Sequence, residues 1–244
     1  MRSAKQQTGW IAAGVGLAAM VAVAGLAFAD GSYGSHDAKA TATAEATSDA
    51  KTTLDAKAAP AAATPLALGG MAPLANVRMM NVDGKEVTLA DVRGKKGTLV
   101  VFTCNACPWA KAWHSRIVAL GNKSAKRGIG VIAINPNDPA VAADDDYGPM
   151  KDNAKKSKMA FPYVVDGTSD VARAFGATRT PEAYLFDAEG RLVYHGAIDD
   201  NAKQPDQVKA RYLEDAVNAV ADGKTIALAE TKAMGCSIKF RSKT

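Results

Sequence analysis

The sequence predicts an α/β fold, a mixed central sheet with helices on both faces. Three observations carry that expectation. Strand-like and helix-like segments alternate in the order βαβαβαββα, ending in a hairpin and a last helix. The run Thr98 to Thr103 is compact, β-branched and aromatic, as a buried central strand should be. The segment after it carries Trp109, Trp113, Ile117 and Leu120 at i, i+4, i+8 and i+11, one apolar helical stripe that reads as core.

Taken in order, Asn76 to Lys95 reads as a short strand, an Asp83-Gly84 turn, a second strand and one helical turn. The central strand follows, then the striped helix, which Gly121 is expected to close. Gly128 to Asp138 is a strand ending in a turn, Tyr147 to Met159 a short polar helix, and Phe161 to Asp166 a third strand. Thr168 to Gly176 begins with a capping hydroxyl residue and stops on glycine, as a short helix does. Pro181 to Gly196 is a strand, a turn at Ala188 to Gly190 and another strand. Gln207 to Ala221 places Val208, Tyr212, Ala216, Val217 and Val220 at helical spacing.

The chain divides into three parts. Residues 1–29 read as a signal peptide: Arg2 and Lys5 are basic, Gly9 to Leu26 is uncharged and apolar, and Ala27-Phe28-Ala29 has the form of a secretory cleavage site. The apolar run is long enough that membrane anchoring through residues 10–28 is the alternative. Either version exports the rest to a periplasmic or secreted location. Residues 30–65 are rich in Ala, Thr, Asp and Lys with almost no large apolar side chain, so they read as a flexible linker in which His36 is idle. Residues 66–244 form the folded domain. The 30 basic and 25 acidic side chains leave a net charge of +5, scattered rather than clustered with aromatics, which gives nucleic-acid binding no support.

The motif that carries chemistry is Cys104-Asn105-Ala106-Cys107-Pro108, where the central strand runs into the helix. A thiolate there gains from orphan amide donors and the positive end of the helix dipole, and such environments bring a cysteine from about 8.5 to roughly 3.5–7.5. Pro108 fits a first helical turn, where its missing donor costs nothing. Half of a zinc site would need two more ligands, and no second close pair exists. A structural staple across two residues closes too short a loop to stabilise much. A dithiol that opens and closes is favoured, and export helps it, since disulfides persist outside the cytoplasm. Thr180-Pro181, opening a later strand, adds to this reading.

The stretches GKEVTLADVRGKKGTLVVFTCNACPWAKA, FPYVVDGTSDVARAFGATRTPEAYLFDAEGRLVYHGAIDDN and GCSIKF resemble the peroxiredoxin-like branch of the thioredoxin-fold superfamily. This is the redoxin group that includes the alkyl hydroperoxide reductase and thiol-specific antioxidant proteins. The resemblance spans Leu66 to Phe240. It implies a thioredoxin fold, thiol-disulfide oxidoreductase activity on protein dithiols or disulfides with an unidentified electron donor, and no bound cofactor. It also implies a redox-active pair at Cys104 and Cys107, with Pro181 in cis facing them. Peroxiredoxins proper carry Pro-x-x-x-Thr/Ser-x-x-Cys and a later arginine. Laid on that pattern, Cys107 takes the peroxidatic position, Val100 stands for the Pro, Cys104 for the Thr and Pro181 for the arginine. These departures predict slow peroxide reduction. A cysteine often precedes Thr-Pro in this branch, where this chain has Arg179.

On the dithiol reading Cys104, expected to be the more exposed thiol, attacks and Cys107 resolves. Cys236 is expected to be a small buried hydrophobe rather than a resolving or relay thiol, because nothing in the sequence brings it near Cys104. His114 is expected to be exposed, and His195 ends a strand. A copper-delivery reading would combine Cys104, Cys107 and one of these histidines, as in copper-assembly proteins of the Sco type, which usually space their cysteines by three. Asp144 to Asp146 reads as a solvated loop or helix cap, and Asn135 and Asp138 as turn residues at a strand end.

Overall fold

The computed structural model describes residues 64–242; the signal or anchor segment and nearly all of the Ala/Thr-rich linker lie outside the described residues. Its sheet has seven strands in the order β2-β1-β5-β4-β3-β7-β8. These are β1 (Met79–Asn81), β2 (Glu86–Val87), β3 (Gly97–Phe102), β4 (Ile129–Asn135), β5 (Tyr163–Val165), β7 (Glu182–Asp187) and β8 (Leu192–Gly196). β3, β4 and β5 pair in parallel; β1, β2, β7 and β8 join antiparallel. The sheet is mixed, as the alternation followed by a hairpin requires. A separate two-stranded pair joins β6 (Arg179–Thr180) to β9 (Cys236–Ser237). The helical turn expected after β2 is a series of turns instead.

β3 is buried along its whole length, and its side chains alternate between two cores. Leu99 and Val101 pack with Trp113, Ile117 and Leu120 of α1 (Pro108–Ala125), Met150 and Ala154 of α2 (Tyr147–Ser157) and Leu213, Ala216 and Val217 of α4 (Tyr212–Ala221). Val100 and Phe102 face the other way, onto Val171, Ala172 and Phe175 of α3 (Asp170–Phe175). Helices therefore cover both faces. On the α3 side Phe175 meets Phe102 and Tyr184 edge-on, with ring centroids 5.2 Å apart in both pairs.

α1 does not stop at Gly121 but runs to Ala125. A Cβ on Gly121 would lie 2.3 Å from Cε1 of Phe161, so the glycine is a close-approach point inside the helix rather than its cap. Gly176, by contrast, ends α3 in the left-handed conformation, with φ of 67°. α1 is held to the segment after β8 by Asp199, which accepts from Trp113 Nε1 at 2.7 Å and pairs with Arg116. Arg116 also donates to the carbonyl oxygens of Asn201 and Ala202. This fixes the helix whose N-terminus follows directly on the cysteine motif.

Candidate active site

β3 ends at Phe102, and the Thr103 amide still donates to Ile134 O (2.9 Å), which carries the strand edge to the threshold of the motif. Cys104 follows. Cys107 is the N-cap of α1, in extended backbone, with Pro108 opening the helix and Lys111 N donating to Cys107 O (2.9 Å). Both sulfurs converge on Thr180, the residue before Pro181. Cys104 Sγ lies 3.2 Å from Thr180 Oγ1, and the Cys107 thiol donates to Thr180 O at 3.2 Å. The Thr180–Pro181 peptide is cis, as the resemblance implies.

The loop between the cysteines is held from the far side by Asp145, which is 1% exposed. Its Oδ1 accepts the amides of Asn105 (2.5 Å) and Ala106 (3.0 Å), and its Oδ2 accepts Asn137 Nδ2 at 2.7 Å. Asn105 in turn accepts from Asn153 Nδ2 and Tyr163 OH. The acidic run is thus not simply a solvated loop. Asp144 is exposed and Asp146 is the N-cap of α2, but Asp145 points inward as a buried clamp. Asn135, likewise buried, donates to Asp145 O (3.1 Å).

Electrostatics separate the two thiols. Cys107 is pulled down to about 4, first by the hydrogen bond from the Cys104 thiol; burial opposes this, and the Cys236 thiol and the Ala110 and Cys236 amides add to it. Ionisation gives up the contact with Thr180 O and is sustained by those donors. Cys104 is pushed up, because it is the donor to Cys107, because it is buried, and because Asp145 carries a like charge nearby. The opposite directions of the two shifts favour the state with the proton on Cys104.

Three expectations need correction. Cys104 is not the more exposed thiol: it is 3% exposed and Cys107 4%, because Thr180 covers both. Cys107, rather than the expected attacker Cys104, is the thiol whose pKa is lowered, chiefly by the hydrogen bond from Cys104. Cys236 is not remote. β9 pairs with β6 so that Cys236 lies opposite Thr180, and its side chain packs on the Cys104–Cys107 cluster. Only the fold shows this, because Cys236 is far from both cysteines in sequence.

His114 is half-buried rather than exposed. Its Nε2 has no hydrogen-bond partner, and burial lowers its pKa. It shares a cleft of about 260 Å³ with Cys104, Asn105, Lys111 and Asp144. His195 is bound instead to Glu182, Nε2 to Oε1 at 2.7 Å, and stacks on Tyr184. Among the described residues no group of three or more His, Cys, Asp or Glu side chains is arranged to hold a metal ion.

Glu182, directly after Pro181 and 2% exposed, is a site residue the sequence reading passed over. Its Oε2 accepts the amides of Thr178 and Arg179, both at 2.9 Å, and its Oε1 accepts Tyr184 OH at 3.0 Å. Burial works against its charge, but the His195 hydrogen bond and the two amides outweigh it and hold the carboxyl low. The strand PEAYLF carried the signal: one carboxylate in an apolar run needs partners when it is buried.

Residues 68–195 match the AhpC/TSA family. A hypothetical protein from Sinorhizobium meliloti 1021 has a similar structure, with 31% identity, a TM-score of 0.68, and coverage of 74% of this chain and 98% of that one. An uncharacterized conserved protein from Geobacillus kaustophilus is 33% identical with a TM-score of 0.67, covering 73% and 95% of the two chains. A thiol-disulfide oxidoreductase ResA from Geobacillus thermodenitrificans is 25% identical over 132 residues, 53% of this chain and 68% of that protein. The solution structure of an oxidized thioredoxin-like protein, 24% identical with a TM-score of 0.51, shares the fold. With the family matched over more than half its length and the mixed sheet in place, the chain belongs to the AhpC/TSA family, on a thioredoxin-like fold.

Proposed function

We propose that this chain is an exported thiol-disulfide oxidoreductase whose working couple is Cys104 and Cys107. The observation that carries the reading is the convergence of both sulfurs on Thr180, at 3.2 Å each, at the mouth of α1. The family and the relatives named thiol-disulfide oxidoreductase support the reaction class. The partners are protein disulfides or dithiols, with an electron donor still to be identified.

The geometry and the lowered pKa of Cys107 support the following order of events. The Cys107 thiolate attacks one sulfur of a partner disulfide, forming a mixed disulfide and releasing the partner's other sulfur as a thiolate. The negative charge on Cys107 is then gone, and with it the hydrogen bond that held the proton on Cys104. Cys104 gives up that proton to the released thiolate and attacks Cys107. The Cys104–Cys107 bond forms, and the partner leaves fully reduced. In the oxidising direction the same steps run backwards. Pro181 shapes the groove in which the partner's extended chain lies. The signal-like segment, whether cleaved or kept as an anchor through residues 10–28, supports a periplasmic or secreted location. Residues 30–65 serve as its spacer, and residues 66–244 hold the site.

The test is reduction of insulin disulfides by the full chain, with trapping variants made in a Cys236→Ser background. Cys104→Ser is expected to strand a partner on Cys107 as a stable mixed disulfide, and Cys107→Ser to strand nothing. The reverse pattern would assign the attack to Cys104. Negligible insulin reduction together with tight stoichiometric copper binding would replace this reading with a copper-delivery one.

A further inference from the structure

The groove beside Pro181 already holds a strand. After α4 the chain returns as a C-terminal tail, tied at Thr231, whose amide donates to His195 O (3.0 Å), and again at Ile238, whose amide donates to Thr178 O (3.0 Å). Between these ties β9 pairs antiparallel with β6, Arg179 opposite Ser237 and Thr180 opposite Cys236. The guanidinium of Arg179 donates to Gly235 O (3.2 Å). Gly235 is what permits so close an approach: a Cβ there would lie 2.3 Å from Thr180 O and 3.1 Å from Pro181 N. The tail thus lies along the edge where a partner's chain would pair, with a cysteine facing the residue that both reactive sulfurs touch.

Resting on the dithiol reading above, we propose that Cys236 is a third redox-active thiol, which exchanges with Cys104 for the sulfur of Cys107. In the oxidised protein the Cys236 thiolate attacks Cys107. The Cys107–Cys236 bond forms, the Cys104–Cys107 bond breaks, and Cys104 leaves as a thiolate that takes up the proton Cys236 gave up. No outside oxidant or reductant is consumed, because one disulfide and one thiol stand on each side. Three features support the exchange. Cys236 packs on the cluster formed by Cys104, Cys107 and Ala110. Its thiol and its amide are among the groups that ease ionisation of Cys107. Among the described residues it is partly exposed, whereas the other two cysteines are buried. The consequence is a protein that carries its own substrate-like strand. In one oxidised isomer the tail is bonded across the groove and Cys104 is free; in the other the tail is held only by hydrogen bonds, and a partner can displace it.

The experiment oxidises the full chain in graded mixtures of reduced and oxidised dithiothreitol, quenches in acid, alkylates free thiols and maps disulfide-linked peptides by mass spectrometry. Wild type is expected to give both Cys104–Cys107 and Cys107–Cys236 peptides. Cys104→Ser is expected to oxidise to a monomer with an intramolecular Cys107–Cys236 bond and no alkylatable thiol. Gly235→Ala, which pushes the tail from Thr180, is expected to lower the Cys107–Cys236 fraction several-fold while Cys104–Cys107 still forms. If Cys236 stays fully alkylatable in every oxidised sample, in wild type and Cys104→Ser alike, the proposal is overturned even though a Cys104–Cys107 disulfide leaves the dithiol reading intact. If wild type forms no Cys104–Cys107 disulfide, the dithiol reading and the exchange both fail.

Discussion

Thr180 and Cys236 face each other across the β6–β9 pair, and Thr180 also meets Cys104 at its hydroxyl and Cys107 at its carbonyl oxygen. One residue therefore touches all three cysteines of the chain. Its hydroxyl and its carbonyl act on different sulfurs, so they can be separated by mutation.

Thr180→Val removes the hydroxyl and keeps the carbonyl and the shape. The hydroxyl eases ionisation of Cys104, and one such hydrogen bond is worth about 0.5–1.5 kcal/mol. In a single-turnover reaction with a model disulfide, the mixed disulfide on Cys107 is expected to resolve roughly 2- to 10-fold more slowly. The rate of Cys107 alkylation is expected to stay near wild type. Equal slowing of both steps would show that the substitution disturbed the whole site.

Cys107, held near 4, should remain a thiolate across the neutral range. Its folded value lies below the ordinary cysteine value, so the charge stabilises the reduced form fully above the unfolded pKa. That contribution fades as pH falls and is gone below about 4. Thiolate absorbance at 240 nm in the reduced protein is expected to titrate in the acid range. In Cys104→Ala, which lacks the donor, the midpoint is expected to move upward. A wild-type midpoint above pH 8 would contradict the assignment.

Glu182 ties the strand beginning at Pro181 to Thr178, Arg179, Tyr184 and His195. Its carboxyl is held below the usual value, so its contribution is present above the unfolded pKa and lost as pH falls through the folded one. Glu182→Gln removes the charge and leaves one acceptor oxygen where two served, and is expected to cost about 1–3 kcal/mol in urea unfolding at pH 7. Lowering the pH toward 3 should shrink the gap between variant and wild type. A gap that widens in acid would mean that the charge is not what the strand relies on.

Peroxide reduction should be slow. Cys104 stands where an activating hydroxyl would be, Pro181 where an arginine would be, and the guanidinium of Arg179 is turned to Gly235. Stopped-flow oxidation of the reduced protein by hydrogen peroxide is expected to run at the rate of an ordinary low-pKa thiol. A rate typical of true peroxiredoxins would show that the missing groups are supplied from elsewhere.

Much of this was legible in the sequence where the signal is local. The run Thr98 to Thr103 announced a central strand because burial on both faces demands apolar residues at consecutive positions. The cysteine spacing and Pro108 marked a helix start. Gly121 misled because a glycine after an apolar stripe looks the same whether it ends a helix or makes room for Phe161. Asp145 and Cys236 were hidden for a different reason. Asp145 reaches the cysteine loop across 40 residues, and Cys236 reaches Thr180 only through the path of the tail. In each case the partner is chosen by topology, and no short-range pattern records it.

A redox titration of the Cys236→Ser protein isolates the pair at the mouth of α1. One reversible two-electron transition is expected, at a potential within the range of about −270 to −120 mV spanned by thioredoxin-fold dithiols. Adding Cys104→Ser or Cys107→Ser is expected to abolish the transition. If both thiols of the Cys236→Ser protein remain alkylatable at the most oxidising poise, Cys104 and Cys107 are not a working couple.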